Sequence, residues 1–137
     1  MRLLVDSNII FAALIRDSAV RHLFQHIDAE LFMLSINLEE IQEHKSELLM
    51  KSRFSEGAFA VLLDTLASKC HILDDNVLLK KMDDAERIMD PIDPDDTPFI
   101  AAALAIGASI WSDDAHFKKQ DEVRVFTTKE LIAKLKM

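Results

Sequence analysis

Five short apolar runs, separated by segments with apolar residues at helical spacing, set the frame of this chain. RLLVD (2–6) is apolar up to its terminal acid and predicts a buried strand. SNIIFAALI follows with apolar positions on most sides and predicts a largely buried helix. AVRHLFQHI (19–27) repeats apolar residues at spacings of three and four, the pattern of a helix with one buried face. LFMLS (31–35) predicts a second strand, CHIL (70–73) a third, ASIWS (108–112) a fourth and VRVF (123–126) a fifth.

Capping residues mark the helices between them. Asn37 suits the cap of a helix beginning LEEIQEHKSELLMK, with Glu39 and Glu40 in its favourable first turn. Ser55 suits the cap of EGAFAVLLDTLASK. NVLLKKMDDAERIMD (76–90) is amphipathic and predicts one helix. PIDPDD is a stiff acidic loop, because proline disfavours helix in the residue before it. Asp95 or Asp96 can cap the next helix, PFIAAALAIG, with Pro98 tolerated in its first turn and Gly107 as a left-handed terminator. Thr127 and Glu130 form a capping box for TKELIAKLKM.

Strands that alternate with helices, and are apolar throughout rather than at every second residue, predict a parallel sheet covered on both faces. The expected fold is an α/β three-layer sandwich with a central, mainly parallel five-stranded sheet. No internal repeat, low-complexity segment or linker divides the chain. Residues 1–137 are therefore expected to form a single domain, a length that suits one core.

Composition narrows the class. Half the residues are hydrophobic and 29% are charged, a balance that predicts a globular chain rather than a disordered one. The single cysteine, Cys70, excludes an internal disulfide framework and a Cys-based zinc site, and reads as a small core residue. No apolar run reaches the roughly 18 residues that span a bilayer. The first residues predict a strand at once and are not expected to form a secretory leader; with a single cysteine, a reducing cytoplasm is the expected location. A net charge of −8 argues against nucleic-acid binding through the field of the whole molecule. Lys45, Lys51 and Arg53, Lys80 and Lys81, and Lys118 and Lys119 read either as local basic patches or, more simply, as solvated helix faces.

Four acids stand out once the elements are placed. Asp6 ends the first strand and Asp114 follows the fourth. Glu40 lies at the start of the helix after the second strand, and Asp96 at the start of the helix leading back to the fourth. In a parallel sheet these positions share one edge, where ligands of such folds bind. Each acid alone also reads as a helix cap, a solvated first-turn residue or part of a turn. Together they would repel one another unless a cation neutralised them. An all-oxygen set without paired His or Cys suits Mg²⁺ or Mn²⁺, and such ions assist phosphodiester hydrolysis. No Gly-rich phosphate loop or GxGxxG is present, so ATP or a dinucleotide is not indicated. His116 beside Phe117 reads as a surface or packing residue rather than a general base. Trp111 reads as core.

LLVDSNIIFAALI, then LEEI, then DDTPFIAAALAIGASIWSDDAHF resemble the PIN domain family in order and spacing, over nearly the whole chain. The third segment is the most specific. The resemblance implies a compact α/β sandwich and divalent-metal-dependent ribonuclease activity. It also implies a homodimer and, for many small members, the toxin half of a toxin–antitoxin pair. On it, the family's acids fall on Asp6, Glu40, Asp96 and Asp114 as catalytic and metal-binding residues. Its small polar residues fall on Ser7, Asn8 and Ser112, which would orient a ligand or water. Ile41 after Glu40 favours Glu40 over Glu39, and the spacing to Phe99 and Ile100 favours Asp96 over Asp95. Asp113 stands either as a further ligand or outside the set. The implied partners are an RNA substrate and an antitoxin protein. Two other readings remain: a PIN-like module that acts by binding a protein partner, favoured by the acidic composition, and a phosphorylated receiver domain. The receiver reading is weaker, because CHIL ends at Leu73 before Asp74-Asp75.

Overall fold

The computed structural model describes residues 1–135. Strand β1 (Arg2–Val5) leads into helices α1 (Ser7–Ile15) and α2 (Ala19–His26), and β2 (Glu30–Leu34) into α3 (Ser35–Glu43), α4 (Lys45–Ser52) and α5 (Glu56–Ala67). Strand β3 (Cys70–Leu73) is followed by α6 (Asn76–Leu79) and α7 (Met82–Met89), then a 3-10 turn (Pro94–Asp96) and α8 (Thr97–Ile106). Strand β4 (Ser109–Trp111), a second 3-10 turn (Ala115–Lys119), β5 (Val125–Phe126) and α9 (Thr128–Leu135) complete the order.

All five strands pair in parallel, in the order β3-β2-β1-β4-β5. Successive strand residues point to opposite faces, so the apolar runs feed two cores. Leu3, Val5, Leu31, Met33 and Trp111 pack with α1, α2, α5 and α9 on one side. Leu4, Phe32, Leu34 and Ile110 pack with α7 and α8 on the other. Strands buried on both faces need apolar residues at every position, which explains why they lack polar alternation. The three layers and the parallel central sheet are those expected. None of the described helices is long and apolar enough to cross a membrane.

Several local expectations are corrected. The helix expected to start after Asn37 begins at Ser35, and Asn37 is buried in its first turn. Its Oδ1 accepts from the Leu34 N–H at 2.6 Å, so it serves the helix start from inside rather than as the cap. That helix breaks at His44 into α3 and α4. At the break His44 leaves the helical backbone region, with φ −100° and ψ 9°, and its ring Nδ1 lies 2.9 Å from the Glu40 carbonyl that its own N–H also reaches. Residues 76–90 likewise form two helices, parted at Lys80-Lys81. β5 is shorter than VRVF because the Val123 backbone is bonded on both sides by the Gln120 side chain. β3 is an edge strand, and Cys70 is half-buried there against the core rather than within it. Burial pushes its thiol up to about 12, which keeps it protonated.

Other expectations hold. Ser55 accepts from Ala58 N at 3.1 Å, and Gly107 ends α8 at φ 65°. Thr127 and Glu130 form the reciprocal capping bonds, at 2.9 and 3.1 Å. The ion pair with Lys118 holds Glu130 down at about 2.

Candidate metal centre

The strand order reverses direction between β1 and β4, and a crevice opens there at the carboxyl ends of the strands. Val5 pairs with Trp111, so the next residues, Asp6 and Ser112, emerge side by side. The Asp6 N–H donates to the Trp111 carbonyl at 3.0 Å. The Ser112 hydroxyl donates to Asp6 Oδ2 at 2.8 Å and accepts from the Asp114 N–H at 3.0 Å. Asp6 is buried, 5% exposed. Burial pushes its carboxyl up to about 6; the Ser112 hydrogen bond opposes that rise and the Asp114 charge adds to it.

Asp6 and Asp96 occupy the positions preceding α1 and α8, where an aspartate ordinarily caps the helix. Neither carboxylate does so. Asp6 is held by Ser112 instead, and the buried Oδ2 of Asp96 has no hydrogen-bond partner among the described residues. The capping bond of the acidic loop comes from Asp93, whose side chain accepts from Asp95 N at 3.1 Å. Burial, then the charges of Asp93, Asp6 and Asp114, push Asp96 up to about 7. The helix N-termini of α1 and α8 carry partial positive charge at these acids, which offsets only part of the repulsion.

Asp6, Ser7, Asn8, Glu40 and Asp96 line one cleft of about 400 Å³, together with Glu43, His44, Asp95 and Phe99. Asn37 Nδ2 donates to Ser7 Oγ at 2.7 Å and fixes that wall. Glu40 is half-buried and Glu39 is exposed, so the helical register turns Glu40 inward. Burial raises the Glu40 carboxyl, and the Ser7 hydroxyl opposes it. Asp95 also faces the cleft but is exposed. Asp114 is not part of the cleft lining; it acts on it through its charge on Asp6 and Asp96. Asp113 turns away altogether. It accepts from Thr128 N at 2.7 Å and Thr128 Oγ1 at 2.8 Å, and so anchors the start of α9.

Sequence reasoning did not single out Asp93, and it read His116 as a surface or packing residue without an acidic partner. His116 Nδ1 lies 3.1 Å from Asp93 Oδ2 and 3.8 Å from Asp114 Oδ1, so His116 is more than a packing partner of Phe117. Asp93, Asp96 and His116 each offer a ligand atom within 4.8 Å of the others'. The four expected acids are spread along the cleft and its rim rather than drawn into so close a group. The signal for Asp93 was its place three residues before Asp96 in the proline-stiffened loop. A carboxylate-rich cleft holding an orphaned buried oxygen fits a divalent cation.

An α/β chain with a three-layer parallel sheet and an acid-lined switch point is the class that fold and site define. The PIN domain family matches residues 4–136, and the protein belongs to that family. Its members are in general nucleases that use divalent metal, which supports a nuclease role in broad terms. The fold is similar to that in the crystal structure of VapBC2 from Rickettsia felis bound to a DNA fragment from their promoter, with TM-score 0.68 at 17% identity. That match covers 93% of this chain and 98% of the other. It is also similar to PAE2754 from Pyrobaculum aerophilum, with TM-score 0.70 at 16% identity, over 99% of this chain and 90% of the other. No curated protein matches the chain by sequence.

Proposed function

We propose that this protein is a divalent-metal-dependent endoribonuclease. The observation that carries the proposal is the convergence of Asp6, Glu40 and Asp96 on one cleft at the switch point of a PIN-family sheet, with Asp114 adding its charge at the rim. In this reading Asp6, Glu40, Asp96 and Asp114 hold one or two Mg²⁺ or Mn²⁺ ions. Such a cation supplies positive charge for a phosphodiester and for the water that attacks it. The chain's own residues do the rest. Ser112 orients the Asp6 carboxylate, and Asn37 holds Ser7 against the cleft. Ser7 and Asn8 present polar groups to the substrate, and Phe99 closes one wall.

The substrate must approach a chain of net charge −8. Lys51 and Lys118 are tied to Glu47 and Glu130, so their charge is largely met within the fold. Recruitment of the phosphate backbone therefore rests on the cation itself and on the remaining Lys and Arg side chains.

The likeness to VapBC2 supports a place for this chain in a toxin–antitoxin pair, with a partner protein that restrains the nuclease. A homodimer belongs to the same reading, and exposed Met50, Val61 and Leu79 offer apolar surface for subunit contacts.

The test is incubation of the purified protein with RNA, with and without Mn²⁺. Cleavage is expected only with the metal and is expected to disappear in Asp6→Asn. Equal cleavage by the wild type and that variant would sink the assignment.

A further inference from the structure

The acidic loop and the segment after β4 meet at the rim of the cleft, and there the donor set changes character. Asp93 and Asp96 come from the 93–96 loop, and His116 from the 3-10 turn that follows Asp114. Their ligand atoms lie within 4.8 Å of one another. Ligands held about 2.1 Å from one ion stand roughly 3–3.5 Å apart, so small side-chain movements would bring the three together around a cation.

An ion pair between His116 and Asp93 is the simpler explanation of their 3.1 Å contact. It accounts for only part of the arrangement. Asp93 spends one oxygen, Oδ1, on the Asp95 N–H and turns the other, Oδ2, to the imidazole. The His116 N–H is separately fixed by Asp114 Oδ1 at 2.9 Å, which holds the ring's backbone at the rim. Asp96 keeps a buried Oδ2 that no described group satisfies. Asp96 brings a third ligand atom within the same 4.8 Å, which a His116–Asp93 pair leaves unused and a cation shared by all three residues would engage. Two carboxylates and one neutral imidazole also match the charge of a divalent ion.

We propose that Asp93, Asp96 and His116 together bind a divalent transition-metal cation at the rim of the acid cleft, with His116 as the nitrogen ligand that sets a preference over Mg²⁺. The proposal rests on the reading of Asp96 as a metal ligand and adds Asp93 and His116 to the set. Imidazole suits first-row transition ions, whereas Mg²⁺ prefers oxygen donors and its own waters, so the nitrogen discriminates between them. Asp96 is shared with the four-acid cleft, which makes the two positions neighbours along one substrate path.

Calorimetric titration with Co²⁺ and, separately, Mg²⁺ tests this on the wild type, His116→Gln and Asp93→Asn. Both variants are expected to lose at least about tenfold in Co²⁺ affinity; in His116→Gln, which removes only the nitrogen, Mg²⁺ affinity is expected to stay within about twofold. Unchanged Co²⁺ affinity in either variant, or equal losses for both metals in His116→Gln, overturns it. Should a variant fail to fold, the ring ¹⁵N resonances of wild-type His116 are followed on adding Zn²⁺. A large shift of one ring nitrogen supports ligation, and unmoved resonances overturn it. The result is separable from nuclease activity. Intact Co²⁺ binding without RNA cleavage defeats the proposed function alone; metal-dependent cleavage with Co²⁺ affinity untouched by His116→Gln defeats this inference alone.

Discussion

The Ser112 hydroxyl donates a 2.8 Å hydrogen bond to Asp6 Oδ2 across 106 positions of sequence. It joins the ends of β1 and β4, the two strands between which the sheet reverses its order. The Ser112 hydroxyl oxygen in turn accepts from the Asp114 N–H, so one serine sets two acids.

Ser112→Ala should therefore act on the metal-free protein above pH 7, where Asp6 is ionised. A buried carboxylate would lose its charge-assisted partner at a cost of about 1.5–3 kcal/mol. Urea denaturation at pH 8 is the measurement. A loss below a few tenths of a kcal/mol would show that the bond does not hold Asp6.

Stability should fall as pH rises. Asp6 and Asp96 ordinarily ionise near 3.8 and are pushed up to about 6 and about 7. Between these limits the folded chain binds more protons than the unfolded one. The contribution is complete below about 4 and is lost as pH climbs through 6 to 7. From pH 5 to pH 8 the metal-free protein is expected to lose roughly 2 kcal/mol, the larger part of it through Asp6 and the remainder through Asp96, whose larger shift is discounted because the residue is only half-buried and screened by solvent. Asp96→Asn should flatten this slope, and added Mn²⁺ should restore stability at pH 8. Thermal melts across the range check both; a rise in Tm toward pH 8 without metal would contradict the sign.

Neighbouring acids should separate cleanly. Asp113→Ala removes the anchor of α9 and is expected to cost about 1–2 kcal/mol while leaving Mn²⁺ affinity unchanged. Asp114→Asn should instead weaken Mn²⁺ binding. Paired denaturation and calorimetry on the two variants decide it, and the reverse assignment would move the site by one residue.

The register of α3 is open to the same kind of test. Glu40→Gln should lower Mn²⁺ affinity at least about tenfold, whereas exposed Glu39→Gln should leave it as it is. Equal effects would mean that the cleft wall is not the face seen here.

Asn37→Ala should destabilise the fold by about 1–3 kcal/mol. It strands the buried Leu34 N–H and releases Ser7 together. Denaturation of this variant beside Asn37→Asp, which keeps the acceptor oxygen but loses the donor to Ser7, separates the two bonds. A neutral Asn37→Ala would mean that water replaces both.

Local chemistry alone determined a good deal of this protein. Apolar runs such as RLLVD and LFMLS can be buried only on both faces, so their parallel pairing was legible, and acids placed at strand ends had to share an edge. Caps at Ser55, Thr127 and Gly107 depend on residues three or four apart, and these too were readable. Helix breaks at His44 and Lys80-Lys81 were not, because periodicity continues across them while the folded backbone breaks. Asn37 reads as a cap because its residue type suits one, and only the approach of Ser7 from α1 gives it a buried bridging role. Asp113 and Asp114 are indistinguishable as letters; the docking of Thr128 draws one away and leaves the other at the rim. Asp93 and His116 lie 23 positions apart and meet only because α8 and β4 return the chain to its starting edge. A pattern along the chain specifies which face a residue takes, whereas distances between side chains are the sum of every packing contact in the two cores.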